Sequence, residues 1–510
     1  MIAGSTAQAS AGPSSHTLYE SASRAPRLTG EMAAAEAEAY LKDHKVAEAI
    51  SSSLAKIIAE RPDQPIVALG DALIELSAAK EKAESPLGDE ELRKIEKPIA
   101  TQERAKWLAK ELFGLSVQDG TIKDLDSYDD RNFYFRAVTE RKELVEAADG
   151  HAAEGGACHY VLKVHNGVES LNPGFIECQN LAMDAVRAKC AGVWCPRALP
   201  SVEGWAITYA EQPLANETER RHAIRLLPFK PGQLLGGVIA DAPLLADLGA
   251  VCAKVTCALA TFDHPDAHRT FIWDLAQCLA VRPLLKHLDP SEPERLALVS
   301  AVLDEFEATV LPLGKSGALA SGIIHGDIND QNVLIGPAQA HAEGEELVGE
   351  DGELMPVDKD RLAVAGVIDF GDMCYSWRIN EIAICVAYAL IALHYDKGGD
   401  EAVTKVGDES KVRKGEEMSE LEAAMVMSSA YAAEMTKQGN KLSEAEWTVL
   451  PTLIACRIAV SLTLGSYSSA QDPTNEYLKL TLLPGLKALR NLRAVPAPEL
   501  TAKLKAAARA

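Results

Sequence analysis

The chain has 510 residues, enough for several folded units at a prior of about 150 residues per domain. Its 47% hydrophobic and 25% charged content excludes a wholly disordered chain, a collagen and a small disulfide scaffold. A net charge of −23, with no run near the ~18 apolar residues of a membrane span, argues against binding nucleic acid or lying in or on a membrane, because phosphate-rich partners attract Lys and Arg.

Residues 1–32, rich in Ala, Ser and Gly, are expected to form a disordered tail. They lack the charged and apolar regions of a secretory signal; Arg24 and Arg27 leave a transit peptide open. Over 33–79 two helical stripes follow: Val46, Ile50, Leu54, Ile57 and Ile58, then Ile66, Leu69, Leu73 and Leu76. Pro62 should end the first helix, because the residue before a proline avoids the α region. Two such helices bury too little alone. Self-association into a four-helix bundle, or packing on the rest of the chain, are the two ways to cover them.

Residues 80–104, highly charged and carrying two prolines, read as a linker. Strand-like runs occupy 132–138, 159–165, 205–210 and 222–229, with a helical pattern over about 174–190. Asn172 and Pro173 predict that helix's N-cap and first turn. These runs define a small β-rich lobe, 105–240. The helical lobe, 241–495, contains two short apolar runs at 332–336 and 365–370, and 496–510 reads as a tail. Residues 341–360, with eight acids and one lysine, read as a solvated loop rather than a metal cage. The ten scattered cysteines form no CxxC pair and are expected to be reduced core thiols of a cytosolic protein.

The chemistry concentrates in IIHGDINDQNVLI, 323–335, where Asp327 precedes Asn332 by five residues and a strand follows. In a kinase catalytic loop that spacing lets Asp meet the acceptor hydroxyl while Asn meets Mg²⁺. Downstream, Asp369-Phe370-Gly371 in VIDFGD has the form of the metal-binding triplet. Upstream, Lys163 lies near the end of an apolar run, as the phosphate-binding strand lysine does, and Glu177 on the next helix is its expected ion-pair partner. No G-x-G-x-x-G precedes Lys163; SYDDRNFYF, 127–135, with Asp129 and Asn132, takes that place. The GKS in LPLGKSG lacks the glycine of a Walker loop.

Two family resemblances rest on these residues. Tyr40, Leu41 and Glu60-Arg61-Pro62-x-x-Pro65 resemble the Dumpy-thirty and regulatory-subunit type of dimerisation/docking domain over about 36–78. That resemblance implies a homodimer through 33–79, with Ile50, Leu54, Ile58, Leu69 and Leu73 at its interface. It also implies a groove holding the amphipathic helix of a scaffold protein, and delivery to a structure such as a flagellar axoneme or cilium. Over roughly 105–490 the chain resembles the aminoglycoside-phosphotransferase and choline-kinase branch of the kinase fold, and within it the hydroxylysine kinases. The segments that carry this are SYDDRNF, NPGFIECQN, HRTFIWDL, HGDINDQNVLI, VIDFGDMCYSWRINEIAI and PTNEYL.

The resemblance implies an α+β, bilobal protein-kinase-like fold. It implies Asp327 as base, Asn332 and Asp369 as Mg²⁺ ligands, and Lys163 and Glu177 positioning the phosphates of GTP or ATP. The nucleotide ring is expected against Leu227 and Phe229. A cationic amino-alcohol acceptor needs carboxylates, for which Asp330, Asp372 and Glu381 are candidates, with Arg457 for an acceptor carboxylate. The alternative is a scaffold-bound structural protein whose kinase-like domain is non-catalytic, or acts on choline, ethanolamine or homoserine.

Overall fold

A computed structural model describes residues 86–148, 157–214, 219–337, 362–395 and 418–509. The docking residues Tyr40, Leu41, Ile50, Leu54, Ile58, Pro62, Pro65, Leu69 and Leu73, and the acidic run 341–360, lie outside them.

The β-rich lobe opens with α1 (Pro86–Ile95) and α2 (Gln102–Phe113). The described part of the expected linker, 86–104, is mostly helical. Its charges support α1 through the i,i+4 pairs Arg93–Asp89 and Lys94–Glu90, and Thr101 caps α2 by accepting from Arg104 N. A six-stranded antiparallel sheet follows: β1 (Ser116–Val117), β2 (Lys123–Leu125), β3 (Arg131–Val138), β4 (Cys158–Val164), β5 (Thr208–Pro213) and β6 (Glu219–Pro228), in order β1-β3-β4-β6-β5 with β2 also on β3. Helix α3 (Lys142–Ala147) follows β3, while α4 (Gly167–Ser170) and α5 (Pro173–Lys189) follow β4. Asn172 caps α5 as expected, accepting from Phe175 N, with Pro173 in the first turn.

The period-two alternation of these strands positions the site. Phe133, Phe135, Tyr160, Leu162, Val164, Ile224 and Leu226 pack on one face with Leu108 and Phe113 of α2. The other face carries Asn132, Val161, Lys163, Arg225 and Leu227, which line a cavity. Register sets Lys163 opposite Asn132 on β3 and Arg225 on β6. Strand β5 begins three residues later than expected. Trp205 instead closes a turn with Ser201, in which Gly204 adopts φ +88°.

The helical lobe begins after β7 (Gln233–Leu234), with α6 (Ala242–Leu259), α7 (Pro293–Glu305) and α8 (Leu311–Lys315). Two antiparallel strand pairs flank the motif loops. Strand β8 (Ser321–Ile324) pairs with β11 (Cys374–Trp377), and β9 (Val333–Pro337) pairs with β10 (Leu362–Val367) and β7. Helices α9 (Ile379–Ala392), α10 (Glu420–Lys437), α11 (Glu444–Gln471), α12 (Leu482–Arg493) and α13 (Ala497–Ala507) complete it. Capping boxes at Ser419/Glu422 and Ser443/Glu446 start α10 and α11. The expected tail at 496–510 is largely α13, because Leu500 and Leu504 stack four apart and are buried in the core. By length and composition α6 and α11 are apolar enough to cross a membrane, yet 61% and 94% of those windows are buried within the protein. All ten cysteines are free thiols, nine of them buried.

Candidate active site

The cavity, about 530 Å³, lies between the sheet and the two motif loops. The HGD turn that forms its floor is tightly held. Gly326 adopts φ +77°, and a Cβ there would approach Asp372 O to 2.7 Å, so only glycine fits. Buried Glu381 of α9 accepts from the backbone N–H groups of His325 (2.6 Å) and Gly326 (3.1 Å). His325 Nδ1 accepts from Asp327 N, and Nε2 donates to Ile368 O at 3.1 Å, joining this turn to the strand before Asp369. Burial lowers the His325 pKa to about 4, so the ring is neutral at pH 7.

Asp327 Oδ1 accepts from Arg457 Nη2 at 2.8 Å, and Oδ2 from Asn329 Nδ2 (2.9 Å) and Asn332 Nδ2 (2.8 Å). Burial raises its pKa, against the opposing pull of Arg457. Arg457, 1% exposed, also donates to Trp273 O at 2.8 Å. Asp330 and Asp372 line the same part of the cavity. Burial raises both, Asp330 to about 6 and Asp372 well above the usual range.

Asp369 is the one non-glycine residue with positive φ (57°) among the described residues, and its side chain is 41% exposed. Its Oδ1 accepts from Gly371 N (3.1 Å) and lies 3.2 Å from Lys163 Nζ. Burial opposes its charge, but Lys163 and the Gly371 amide outweigh burial and lower its pKa. Such left-handed strain concentrates where a side chain must be aimed.

Lys163 Nζ also lies 2.9 Å from Asp130 Oδ2. Burial would lower its pKa, but Asp130 and Asp369 raise it, so the ammonium is retained. Glu177 is not its partner. The buried face of α5 is Phe175, Ile176, Cys178, Gln179, Ala182, Met183 and Val186, which leaves Glu177 exposed on the opposite side. Gln179 and Asn180 instead accept from Arg225, whose Nε donates to His165 Nε2 at 2.9 Å. Asp129 accepts from Arg93 Nη1 (2.9 Å), and Glu169 lies 3.4 Å from that nitrogen and 2.9 Å from His165 Nδ1.

Of the residues singled out in the sequence, Asp129, Asn132, Lys163, Leu227, Phe229, Asp327, Asp330, Asn332, Asp369, Asp372 and Arg457 line this one cavity. Glu381 has another role: both its oxygens serve the HGD backbone. Arg457 gives one hydrogen bond from each terminal nitrogen, to Trp273 O and Asp327, while its buried Nε has no hydrogen-bond partner. Sequence reasoning missed Arg93, Asp130 as the Lys163 partner, Glu169 and Arg225. The Asp129-Asp130 doublet was the signal available.

Hard divalent cations take oxygen ligands, and Asn332 with Asp369 fits one. Asp369 is ionised and open to the cavity, and Asn332 commits Nδ2 to Asp327, leaving Oδ1 to coordinate. Asp130, His165 and Glu169 also gather their ligand atoms within 4.8 Å. That cluster already faces Lys163, Arg93 and Arg225, so its charge is matched without a metal.

The model of the phosphotransferase enzyme family matches residues 144–344, which hold Lys163, Asp327 and Asn332. The chain carries a small-molecule phosphotransferase domain with the kinase-like fold. It is similar to the hydroxylysine kinases of Xenopus laevis (27% identity over 409 residues, 78% of this chain and 90% of the relative) and Danio rerio (27% over 404 residues, 78% and 93%). Similar solved structures include an amicoumacin kinase bound to AMP-PNP and Ca²⁺, at 15% identity and TM-score 0.48 over 78% of this chain and 95% of that one. A microcompartment-associated aminopropanol kinase aligns at 14% identity and TM-score 0.47 over 79% and 98%.

Proposed function

We propose that the protein transfers the γ-phosphoryl group of GTP or ATP to the hydroxyl of hydroxylysine or a similar amino alcohol. The observation that carries this reading is the convergence of Lys163, Asp327, Asn332 and Asp369 on one cavity, supported by similarity to hydroxylysine kinases along 78% of the chain. Asp327 accepts the hydroxyl proton as the acceptor oxygen bonds to the γ-phosphorus and the bond to the β-phosphate oxygen breaks. Lys163 holds the donor phosphates, and Leu227 and Phe229 wall the space for the base. A divalent cation held by Asn332 and Asp369 would supply charge neutralisation on the β- and γ-phosphates.

The acceptor class follows from charge. Asp330 and Asp372 are acids lifted by burial; Arg457 and Arg269 only partly offset it at Asp372, and Arg457 also serves Asp327. An acceptor ammonium relieves that imbalance; an anionic acceptor worsens it. A nucleoside-diphosphate release assay on the full chain tests the reading, with GTP and ATP each offered against hydroxylysine, choline, ethanolamine and homoserine. Release that depends on hydroxylysine and disappears in Asp327→Asn is the expected result. No release with any acceptor would favour the scaffold-bound, non-catalytic alternative.

The reading extends to a docking homodimer through residues 33–79 that seats a scaffold helix and delivers the enzyme within the cytoplasm or to a cilium. The ERPDQP turn and its flanking stripes motivate it. Light scattering on the full chain and on a chain lacking 1–80 tests it. A dimer that becomes a monomer on truncation is expected, and an unchanged mass would end the docking argument.

A further inference from the structure

Helix α1 packs Leu87 on the core, yet it buries two charges more deeply than any of its described apolar side chains. Glu90 is 0% and Arg93 5% exposed, whereas Ile95 is 58% exposed. A helix that covers a core does the reverse. The face that carries these two charges is folded against a polar site, and the site is the cavity, which both Glu90 and Arg93 line. Arg93 precedes the segment matched by the family model, residues 144–344.

The Arg93 guanidinium meets three carboxylates: Asp89 (2.8 Å), Asp129 (2.9 Å) and Glu169 (3.4 Å). Its backbone carbonyl accepts from Asn166 Nδ2 at 2.8 Å. The same Asn166 amide donates to Asp129 O, and Asn166 N donates to Asp130 Oδ1 at 2.7 Å. Asp130 in turn is the carboxylate on Lys163. A continuous chain of charged contacts thus runs from α1 through the Asp129-Asp130 loop to the phosphate lysine.

Charge balance gives that chain a purpose. Around Lys163 stand the carboxylates Asp129, Asp130, Glu169 and Asp369, against the cations Lys163, Arg93 and Arg225. Deleting Arg93 leaves Asp129 and Glu169 buried without their cation. Their charge then repels an incoming triphosphate and competes for Lys163.

We propose that Arg93 is a positioning residue of the nucleotide site. It pins the Asp129-Asp130 loop and neutralises Asp129 and Glu169, so that Asp130 orients Lys163 and Lys163 stays available to phosphate. This role rests on the phosphotransferase reading and deepens it.

The test is binding of a fluorescent Mg²⁺–nucleotide to the full chain, which needs no acceptor. The variants are Arg93→Gln, which removes the charge, and Arg93→Lys, which keeps the charge but loses the fork that reaches three carboxylates. Thermal melts run alongside. The expected result is a Kd raised about tenfold or more in Arg93→Gln and by less in Arg93→Lys, with millimolar guanidinium ion restoring affinity to Arg93→Gln. If Arg93→Gln does not fold, Arg93→Lys decides: weakened binding with a cooperative melt supports the role. Wild-type affinity in either folded variant overturns it. Wild-type protein that binds no nucleotide would remove the phosphotransferase reading itself, and this role with it.

Discussion

Arg457 and Asp327 form a pair whose strength should be readable in the pH dependence of the reaction. Arg457 Nη2 lies 2.8 Å from Asp327 Oδ1, and the arginine is 1% exposed. At a charge separation of about 4 Å and an effective dielectric near 20, their attraction is about 4 kcal/mol. If relaxation halves it, about 2 kcal/mol remains, more than tenfold in the ionisation equilibrium. Arg457 is the largest influence holding the Asp327 pKa down against burial. In Arg457→Gln the carboxyl rises further, so less of the base is ionised at neutral pH. The acid limb of the kcat profile should move to higher pH, and kcat at pH 7 should fall about tenfold or more. Stability should fall by about 3–5 kcal/mol, because a buried carboxylate loses its partner, and the Trp273 carbonyl loses its donor too. Arg457→Lys keeps a charge and should lie between. The assay is nucleoside-diphosphate release at saturating substrates from pH 5.5 to 9, with melts at each pH to separate folding from catalysis. An acid limb in Arg457→Gln that coincides with wild type, with kcat within about twofold, would refute both the pairing and the assignment of Asp327 as base.

Three other outcomes follow from the same geometry. Lys163→Met should lower kcat/KM for the nucleotide by about a hundredfold or more, as loss of a charge aimed at phosphate does, whereas Glu177→Gln, exposed on α5, should stay within about twofold; steady-state kinetics with varied nucleotide measures both. His165 is held neutral, its pKa lowered by burial to about 4 from 6.5. Below 6.5 the unfolded chain takes up a proton that the folded chain refuses, so this contribution is complete above 6.5 and is lost as pH falls toward 4. The difference in unfolding free energy between wild type and His165→Asn should therefore shrink by about 3 kcal/mol across that window, and denaturant melts at pH 4, 5, 6 and 7 check it. Binding of a cationic acceptor should release protons near pH 6, because an ammonium lowers the Asp330 pKa from its raised value of about 6; calorimetry in two buffers of different ionisation enthalpy reads this directly.

What was legible in the sequence was what neighbours in the chain decide. The Asp327–Asn332 spacing, Asp369-Phe370-Gly371 and the alternation around Lys163 are local patterns, and the structure brings them together on one cavity. The α5 cap at Asn172 and Pro173 was legible for the same reason. What failed depended on which face of an element meets what. Glu177 had the right residue type on the right helix, but one step along a helix turns a side chain by about 100°, and that step points Glu177 to solvent. Residues 80–104 looked like a linker because charge density ordinarily marks solvated chain; here Glu90 and Arg93 are buried against partners distant in sequence, Tyr128, Asp129 and Glu169. Arg457 lies 130 residues from Asp327, and no local pattern announces such a pairing. The stripe of Leu500 and Leu504 in α13 was present in the sequence, but the Ala-rich context masked it.

The buried charges divide the cavity into two parts with different chemistry. Around Lys163 each carboxylate has a cation: Asp129 and Glu169 face Arg93, while Asp130 and Asp369 face Lys163. Burial still raises the Asp129 and Asp130 pKa values, but the direct ion pairs hold the ammonium that faces the phosphates. Around Asp327 the balance is unfinished. Asp327 and Asp372 stand beside Arg457, and Asp372 beside Arg269 as well, yet burial still lifts the pKa values of Asp327, Asp330 and Asp372. A region left short of positive charge gains most from a ligand that brings it, and an acceptor ammonium does so next to the base that must lose its proton to act. The cation that completes this half of the site would thus also favour the ionised form of Asp327, tying recognition of the amine to activation of the hydroxyl.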